Sequence, residues 1–112
     1  MKHIATSKHR GDFVPLHATR SSQAAMMTIA PGEDSGEDME NEHAWAEQWL
    51  YVVTGTGKAR VGSRTVRLAP GSLLLIEKRE RHRISNTGKR PLVTVNVYAP
   101  PAYRADGNPS RR

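Results

Sequence analysis

The 112-residue sequence contains no cysteine. This absence excludes disulfide bonds, thiolate metal sites and a cysteine nucleophile, so any metal ion must be held by nitrogen and oxygen ligands. Aromatic residues are scarce, with two Trp, three Tyr and one Phe, and no apolar run approaches the length of a membrane-spanning helix. The first residues also lack the apolar segment of a signal peptide. We therefore expect a cytoplasmic protein that has no membrane partner.

The net charge of +6 makes nucleic acid a partner to consider. The distribution of charge argues against it, because seven of the eleven acidic residues lie between Glu33 and Glu47 in a stretch without Lys or Arg. From Lys58 onward the basic residues are scattered, and no aromatic residue lies in a basic cluster. RNA-binding surfaces combine aromatic and basic side chains. Nucleic acid is therefore the least favoured partner.

Short runs of β-forming residues bounded by Gly and Pro occupy most of the sequence, and no segment keeps the apolar period of a helix. This pattern predicts an all-β sandwich or barrel. The length suits one domain, residues 1–112, with its core at about 22–99 and loosely attached ends at 1–11 and 102–112. The predicted strands are 22–30, 43–54, 58–61, 64–68, 72–76, 82–86 and 91–99, and 13–16 is an edge segment because it contains Pro15.

The strongest candidate for a functional side chain lies in the second half of the chain. An apolar run at 72–76 predicts a covered strand, and the all-charged run at 77–81 predicts a solvated connection. The next strand begins at His82, which shares its face with Ile84 and Asn86. His82 is either a hydrogen-bonded core residue or a ligand at the start of a buried face.

The predicted strand that follows the acidic segment has two distinct faces. One face carries Gln48, and the other carries Trp49 and Tyr51. Outward-facing Trp49 and Tyr51 would suit a subunit interface. A core position or a ligand wall is the alternative for these two residues, and also for Trp45 and Tyr98.

The region after Pro70 resembles the second motif of the cupin family, whose members are small β-barrels of the jelly-roll type. That motif spaces a Gly, a His and an Asn as Gly71, His82 and Asn86 are spaced here. The sequence departs from the motif at Glu77, where the family has Pro, and at Arg79, where it has a second Gly.

The region before Gly55 resembles the first cupin motif in its spacing more than in its residues. Counting back from Gly55 places Gln48 at the position of the family's Glu. His43 then falls at its second His and Asn41 at its first His. The resemblance covers about residues 22–99 and implies a cupin-type jelly-roll fold. Because small cupins commonly pair through a sheet, it also implies a homodimer, for which an outward-facing Trp49 and Tyr51 would be suited.

The resemblance implies a divalent transition metal inside the barrel, of which Zn, Fe, Mn, Ni and Cu are the candidates. Its ligands would be His43, Gln48, His82 and Asn41, a set of imidazoles and amides that such ions accept. The set lacks a carboxylate and is formally neutral. The ion would therefore keep its full charge, which lowers its affinity and raises its Lewis acidity.

Two functions follow from the resemblance, and the sequence leaves both open. One is a metal-dependent enzyme that acts on a sugar acid or another small oxygenated molecule by isomerase, tautomerase or dioxygenase chemistry. Glu47 would be its catalytic base if a β-bulge turned that side chain inward. The other is a module that binds or senses a small molecule without turnover.

Overall fold

The computed structural model describes residues 1–36 and 44–110. A short 3-10 helix at Thr6–Lys8 precedes the strands, and no helix among the described residues is long and apolar enough to cross a membrane. The strands are β1 (Phe13–Ala18), β2 (Gln23–Ile29), β3 (Glu47–Thr54), β4 (Gly57–Val61), β5 (Arg64–Leu68), β6 (Leu73–Ile76), β7 (His82–Asn86) and β8 (Leu92–Ala99).

The strands form two sheets in which every pairing is antiparallel. Five strands lie in the order β1-β2-β8-β3-β6, and three lie in the order β5-β4-β7. Residues 33–35 extend the smaller sheet along β7, where the N–H of Ser35 donates to the carbonyl of Ile84 at 2.8 Å. The prediction of an all-β domain is confirmed, as is the placement of β1 at an edge.

The hydrophobic core lies between the two sheets. The larger sheet contributes Leu50 and Leu92 and the smaller sheet contributes Ile84, each with at most 1% of its surface exposed. Fully burying such a side chain contributes roughly 1.5–3 kcal/mol. The remaining buried members of this core are Ile29, Val52, Ala59, Leu68 and Ile76.

Strand β8 reverses the usual distribution of polar and apolar side chains. Thr94 and Asn96 point into the molecule and are fully buried, whereas Val97 on the opposite face is 37% exposed. Trp49, Tyr51, Val53, Leu73 and Leu75 extend this exposed apolar surface over β3 and β6. We call the side chains of these six residues the outer apolar face of the five-stranded sheet.

The charges of the strands are divided between the two sheets. None of the five strands of the larger sheet, as the structure describes them, contains a Lys or an Arg. The smaller sheet has five such residues, namely Lys58, Arg60, Arg64, Arg67 and Arg83.

Strand β6 differs from the expectation of a covered strand at 72–76. Among the strands of residues 1–36 and 44–110, it pairs only with β3 and forms an edge of the five-stranded sheet. Ile76 is buried, but Leu73 is 62% exposed. The prediction was wrong because a run of four apolar residues fits a strand covered on both faces, and equally fits a strand whose second face joins an exposed apolar surface.

The strand expected at 43–54 begins at Glu47, because residues 44–46 form a turn. The expected faces of this strand are confirmed, with Gln48 buried and Trp49 and Tyr51 exposed. The strands expected at 58–61 and 64–68 are present as β4 and β5, and they pair as an antiparallel hairpin.

The start of the C-terminal segment is fixed to the barrel, so the expectation of a loose end from residue 102 was wrong for Ala102 and Tyr103. Ala102 is fully buried, and its N–H donates to Oε1 of Gln23 at 3.0 Å. The N–H of Tyr103 donates to the same oxygen at 2.8 Å, and Nε2 of Gln23 donates to the Tyr103 carbonyl at 2.8 Å. A buried amide on β2 therefore binds this segment through three hydrogen bonds.

Candidate functional site

A cavity of about 410 Å³ opens between the two sheets. Its wall includes the side chains of Gln48 from β3 and His82 from β7. Aliphatic side chains of Met27, Ile29 and Ile84 lie beside them. The structure thus brings two of the four predicted metal ligands, from distant parts of the sequence, to one cavity.

Gln48 is held by the pairing of β3 with both of its neighbours. It lies opposite Tyr98 on β8 and Ile76 on β6, and its side chain is 2% exposed. Within the described residues, its Oε1 is buried and accepts no hydrogen bond. An unsatisfied buried acceptor is costly, so this oxygen marks a place where a ligand or an ion would be stabilised.

The other end of the Gln48 amide enters a chain of buried hydrogen bonds. Its Nε2 donates to Oδ1 of Asn96 at 2.7 Å. Nδ2 of Asn96 donates to Oγ1 of Thr94 at 2.9 Å, and this hydroxyl donates to the carbonyl of Met27 at 2.9 Å. We call these four groups the amide chain.

His82 is oriented by the backbone of the charged turn before it. Its Nδ1 lies 3.1 Å from the carbonyl oxygen of Glu80. Since a carbonyl oxygen can only accept, this contact requires a hydrogen on Nδ1, and a neutral ring of that tautomer has its lone pair on Nε2. A backbone carbonyl that orients an imidazole in this way is a common feature of metal-binding histidines.

An aromatic wall made by Phe13, Tyr98 and Tyr103 lines another part of the cavity. The ring centroids of Phe13 and Tyr103 are 4.6 Å apart, and those of Tyr98 and Tyr103 are 5.0 Å apart at 67°. Of the three, the sequence indicated only Tyr98. Phe13 lies in an edge segment and Tyr103 follows two prolines, so neither belongs to a pattern that indicates a ligand site.

The turn after Tyr103 is closed by local hydrogen bonds. The N–H of Arg104 donates to the carbonyl of Asn108 at 2.8 Å. The N–H of Asn108 donates to the carboxylate of Asp106 at 2.9 Å, and this bond lowers the pKa of Asp106 below its ordinary value.

The rim of the cavity is acidic, although the protein is basic. Asp12, Glu33 and Asp34 lie along it with exposed side chains. Asp34 Oδ2 is 4.0 Å from Nε of Arg83, and its Oδ1 accepts the N–H of Gly36 at 3.0 Å.

Glu47 is not among the residues that line this cavity, and the β-bulge that would have turned it inward as a catalytic base is not present at this position. The pairing of β3 with β8 is continuous from Glu47 to Val52, and the irregularity lies after Val52. Glu47 therefore has the opposite orientation to Gln48. Its Oε2 accepts a hydrogen bond from the indole N–H of Trp49 at 3.3 Å on the exposed side of the sheet.

Asn41 and His43 lie outside the described residues, so their role as metal ligands stays a prediction. Among residues 1–36 and 44–110, no group of three or more His, Asp and Glu side chains could hold a metal ion. The donors that the structure brings together are the amide oxygen of Gln48 and the imidazole of His82. Both are donor types that divalent transition metals accept, and the unsatisfied Oε1 fits such an ion.

Comparison with known proteins identifies the family. Residues 25–98 match the family model described as the cupin domain. The chain belongs to the cupin family, and the predicted jelly-roll fold is confirmed.

The relatives cover most of the chain. It is 30% identical to the tetracenomycin polyketide synthase protein TcmJ of Streptomyces glaucescens, over 95% of this chain and 73% of that protein. The structure of BH2720 from Bacillus halodurans superposes with a TM-score of 0.79 at 28% identity, covering 94% of this chain and 80% of that one. A conserved protein from Klebsiella pneumoniae with a double-stranded β-helix domain gives a TM-score of 0.74 at 18% identity, covering 98% and 94%.

Proposed function

We propose that this cupin binds a divalent transition metal in its cavity and acts there on a small oxygenated molecule by isomerisation or tautomerisation. The observation that carries the proposal is the buried Oε1 of Gln48, which accepts no hydrogen bond from the described residues and belongs to a residue that lines the same cavity as His82. An ion at this position would satisfy the oxygen and would have an imidazole as its second donor.

Each part of the cavity has a distinct role in this proposal. Gln48 and His82 would hold the ion, and His43 and Asn41 are the further ligands that the sequence predicts. A bound ion of this kind supplies a Lewis acid that polarises a carbonyl group, or, as Fe or Cu, supports oxygenation. The aromatic wall would pack against the carbon skeleton of the ligand, and the rim carboxylates would accept hydrogen bonds from its hydroxyl groups.

One relative and the aromatic wall support a small oxygenated molecule as the class of substrate. TcmJ is a protein of a polyketide synthase, and polyketides are carbon chains that carry many oxygen atoms. The rings of Phe13, Tyr98 and Tyr103 give the cavity a surface that suits an unsaturated or cyclic carbon skeleton.

The test is the metal content of protein that is purified without added metal or chelator. We expect about one equivalent of a single transition metal per chain, from one ion in one cavity. His82→Ala should lose this metal and keep the fold, and His43→Ala should do the same.

His17→Ala is the matched control, since His17 is exposed on β1 and is not among the residues that line the cavity. It should keep the full metal content. Full metal content in both His82→Ala and His43→Ala would contradict the proposed site. Negligible metal in the wild type, persisting after incubation with each candidate ion, would remove the metal from the proposed function.

A binding module without turnover is the second candidate, and the orientation of Glu47 favours it. The sequence offered this residue as the catalytic base, yet its carboxylate bonds to Trp49 on the exposed side of the sheet. The two functions differ in whether a bound ligand is recovered unchanged after prolonged incubation, which mass spectrometry measures.

We also propose that two copies of the chain pair through the outer apolar face. Cross-strand rows make this surface continuous, since Tyr51 lies between Leu73 and Val95, and Trp49 lies between Leu75 and Val97. The strands beneath it carry no Lys or Arg. Two molecules of charge +6 can therefore approach through this face with little repulsion.

The edge position of β6 also supports a second copy of the chain as the partner that covers the outer apolar face. Natural edge strands are usually protected by charged residues, above all Lys, because an exposed apolar edge promotes aggregation. Strand β6, Leu73–Ile76, has no charged residue. Pairing with a second copy would cover the apolar side chains of this strand.

A further inference from the structure

We propose that Thr94 and Asn96 are positioning residues that fix the sense of the Gln48 amide, so that only its carbonyl oxygen faces the cavity. This end of the cavity would then accept a cation or a hydrogen-bond donor, and would disfavour the oxygen of an anion. The inference rests on the proposed function where it concerns metal binding, and on the amide chain alone where it concerns the amide.

The orientation of the Gln48 amide follows from counting the hydrogens that are available along the amide chain. The carbonyl of Met27 can only accept, so the single hydroxyl hydrogen of Thr94 is used in the bond of 2.9 Å to it. Thr94 can then only accept from Asn96. Asn96 must direct Nδ2 toward Thr94 and Oδ1 toward Gln48, and the bonds of 2.9 and 2.7 Å have this sense.

Shape alone cannot determine the orientation of the Gln48 amide. The oxygen and nitrogen of a side-chain amide are nearly the same size, so a rotated Gln48 would fill the same space. Rotation would direct Oε1 of Gln48 at Oδ1 of Asn96, and two acceptors would face each other. Rotating Asn96 as well would direct its Oδ1 at a hydroxyl whose hydrogen is already donated to Met27.

Burial makes the mismatch effective. Asn96 and Thr94 are fully buried and Gln48 is 2% exposed. Water cannot easily replace a lost hydrogen-bond partner at such positions. A mispaired group therefore keeps the full free-energy cost of an unsatisfied buried polar group. The Met27 carbonyl, at the far end of the amide chain, thus determines which atom of the Gln48 amide is directed away from Asn96.

Thr94→Val and Thr94→Ser form the deciding pair of variants. Valine keeps the β-branched shape of threonine but cannot accept from Asn96, whereas serine keeps the hydroxyl. Each variant, and the wild type, is titrated calorimetrically with Mn²⁺ or Zn²⁺. We expect Thr94→Val to lose affinity by about 10–100-fold, the usual effect of removing a group that orients a metal ligand. Thr94→Ser should bind as the wild type does.

A second measurement needs no metal. In the metal-free protein, the Nε2 hydrogens of Gln48 can be followed by nitrogen-resolved NMR, because one of them is bonded to Asn96. This hydrogen should exchange slowly with water in the wild type and in Thr94→Ser, and faster in Thr94→Val. Equal exchange in all three proteins would overturn the inference.

The two measurements separate the inference from the proposed function. A wild type that binds no metal would refute the metal site, and the exchange of the Gln48 amide would still decide the role of Thr94. If the wild type binds metal and Thr94→Val binds it equally tightly, the positioning role is refuted and the metal site stands.

Asn96→Asp keeps the inference testable if Thr94→Val fails to fold. A carboxylate only accepts, and a protonated carboxyl can donate its one hydrogen to Thr94, so in either form an oxygen accepts from Nε2 of Gln48 and the amide keeps its sense. We expect slow exchange of the bonded Gln48 hydrogen in Asn96→Asp. Fast exchange in this variant would contradict the inference.

Discussion

Asn86 shows how one buried amide can hold several loops together. Its Nδ2 donates to the carbonyl of Ile29 at 2.8 Å and to that of Arg90 at 2.7 Å. Its Oδ1 accepts the N–H of Gly88 at 2.8 Å, and the side chain is buried. The residue therefore joins the end of β7 to the end of β2 and closes the loop that leads to β8.

We expect Asn86→Asp to destabilise the protein by roughly 3 kcal/mol at neutral pH, because a carboxylate would face two carbonyl oxygens that lose their donors. Urea denaturation measures the free energy of unfolding.

The destabilisation should shrink on acidification. The introduced carboxyl group faces acceptors in the folded state, so its pKa there is raised above the unfolded value, and the folded protein gains protons first as the pH falls. The difference between variant and wild type should therefore be smaller at pH 5 than at pH 7. A difference that is constant between these values would contradict this account.

At the level of single residues, sequence spacing located Gln48 and His82 but not the residues behind them. Thr94 and Asn96 alternate with valines, and alternation defines two faces without saying which is buried. The valines are more apolar and suggest the wrong face. Glu47 was misjudged for another reason, because its role required a β-bulge that the sequence does not specify.

The connection between β6 and β7 contains the clearest departure from a local rule. Arg79 has a φ of 67°, in the left-handed region that favours glycine. It lies in the turn closed by the N–H of Glu80 donating to the carbonyl of Glu77 at 3.1 Å, and its own N–H donates to the carbonyl of Ala44 at 3.0 Å. The cupin motif has Gly at this position, and the backbone explains that preference.

We expect Arg79→Gly to stabilise the protein by about 1 kcal/mol, since a left-handed conformation costs roughly 1–2 kcal/mol for a residue with a side chain and glycine loses part of this gain as chain entropy. Thermal or urea denaturation checks the change.

Lys78→Gly is the matched control, because Lys78 is an exposed neighbour without a positive φ. It should destabilise the protein by about 0.5 kcal/mol through the entropy of the unfolded chain. Equal effects of the two substitutions would show that the conformation of Arg79 carries no strain.

The strands and turns were predicted correctly where they depend on a local sequence pattern. The hairpin of β4 and β5 follows from two alternating segments joined at Gly62 and Ser63, and β2 ends where Pro31 and Gly32 predict a turn. Exposure of β6 and attachment of Tyr103 depend on which strands become neighbours. Such long-range pairings leave no local pattern in a single sequence.

For the whole molecule, the outer apolar face predicts the state of association. We expect light scattering to give about twice the mass of the 12.4 kDa chain, as one copy covers the apolar face of another. Tyr51→Lys should reduce the mass to that of one chain, because it places a cation at the centre of the paired surface.

Val66→Lys is the control for this substitution. Val66 is also an exposed apolar residue, with 38% of its surface accessible, but it lies on β5 in the smaller sheet. It should leave the mass unchanged. A wild type with the mass of a single chain, or a Tyr51→Lys variant with the mass of two, would contradict the proposed pairing.

The division of charge between the two sheets has an electrical consequence. The five cationic residues on the strands of one sheet, with none on those of the other, contribute a dipole component directed across the barrel to each chain. A two-fold axis through the outer apolar face would reverse that moment in the second copy, so the components perpendicular to the axis cancel. Dielectric relaxation should therefore detect a larger dipole per chain in the Tyr51→Lys monomer than in the paired protein.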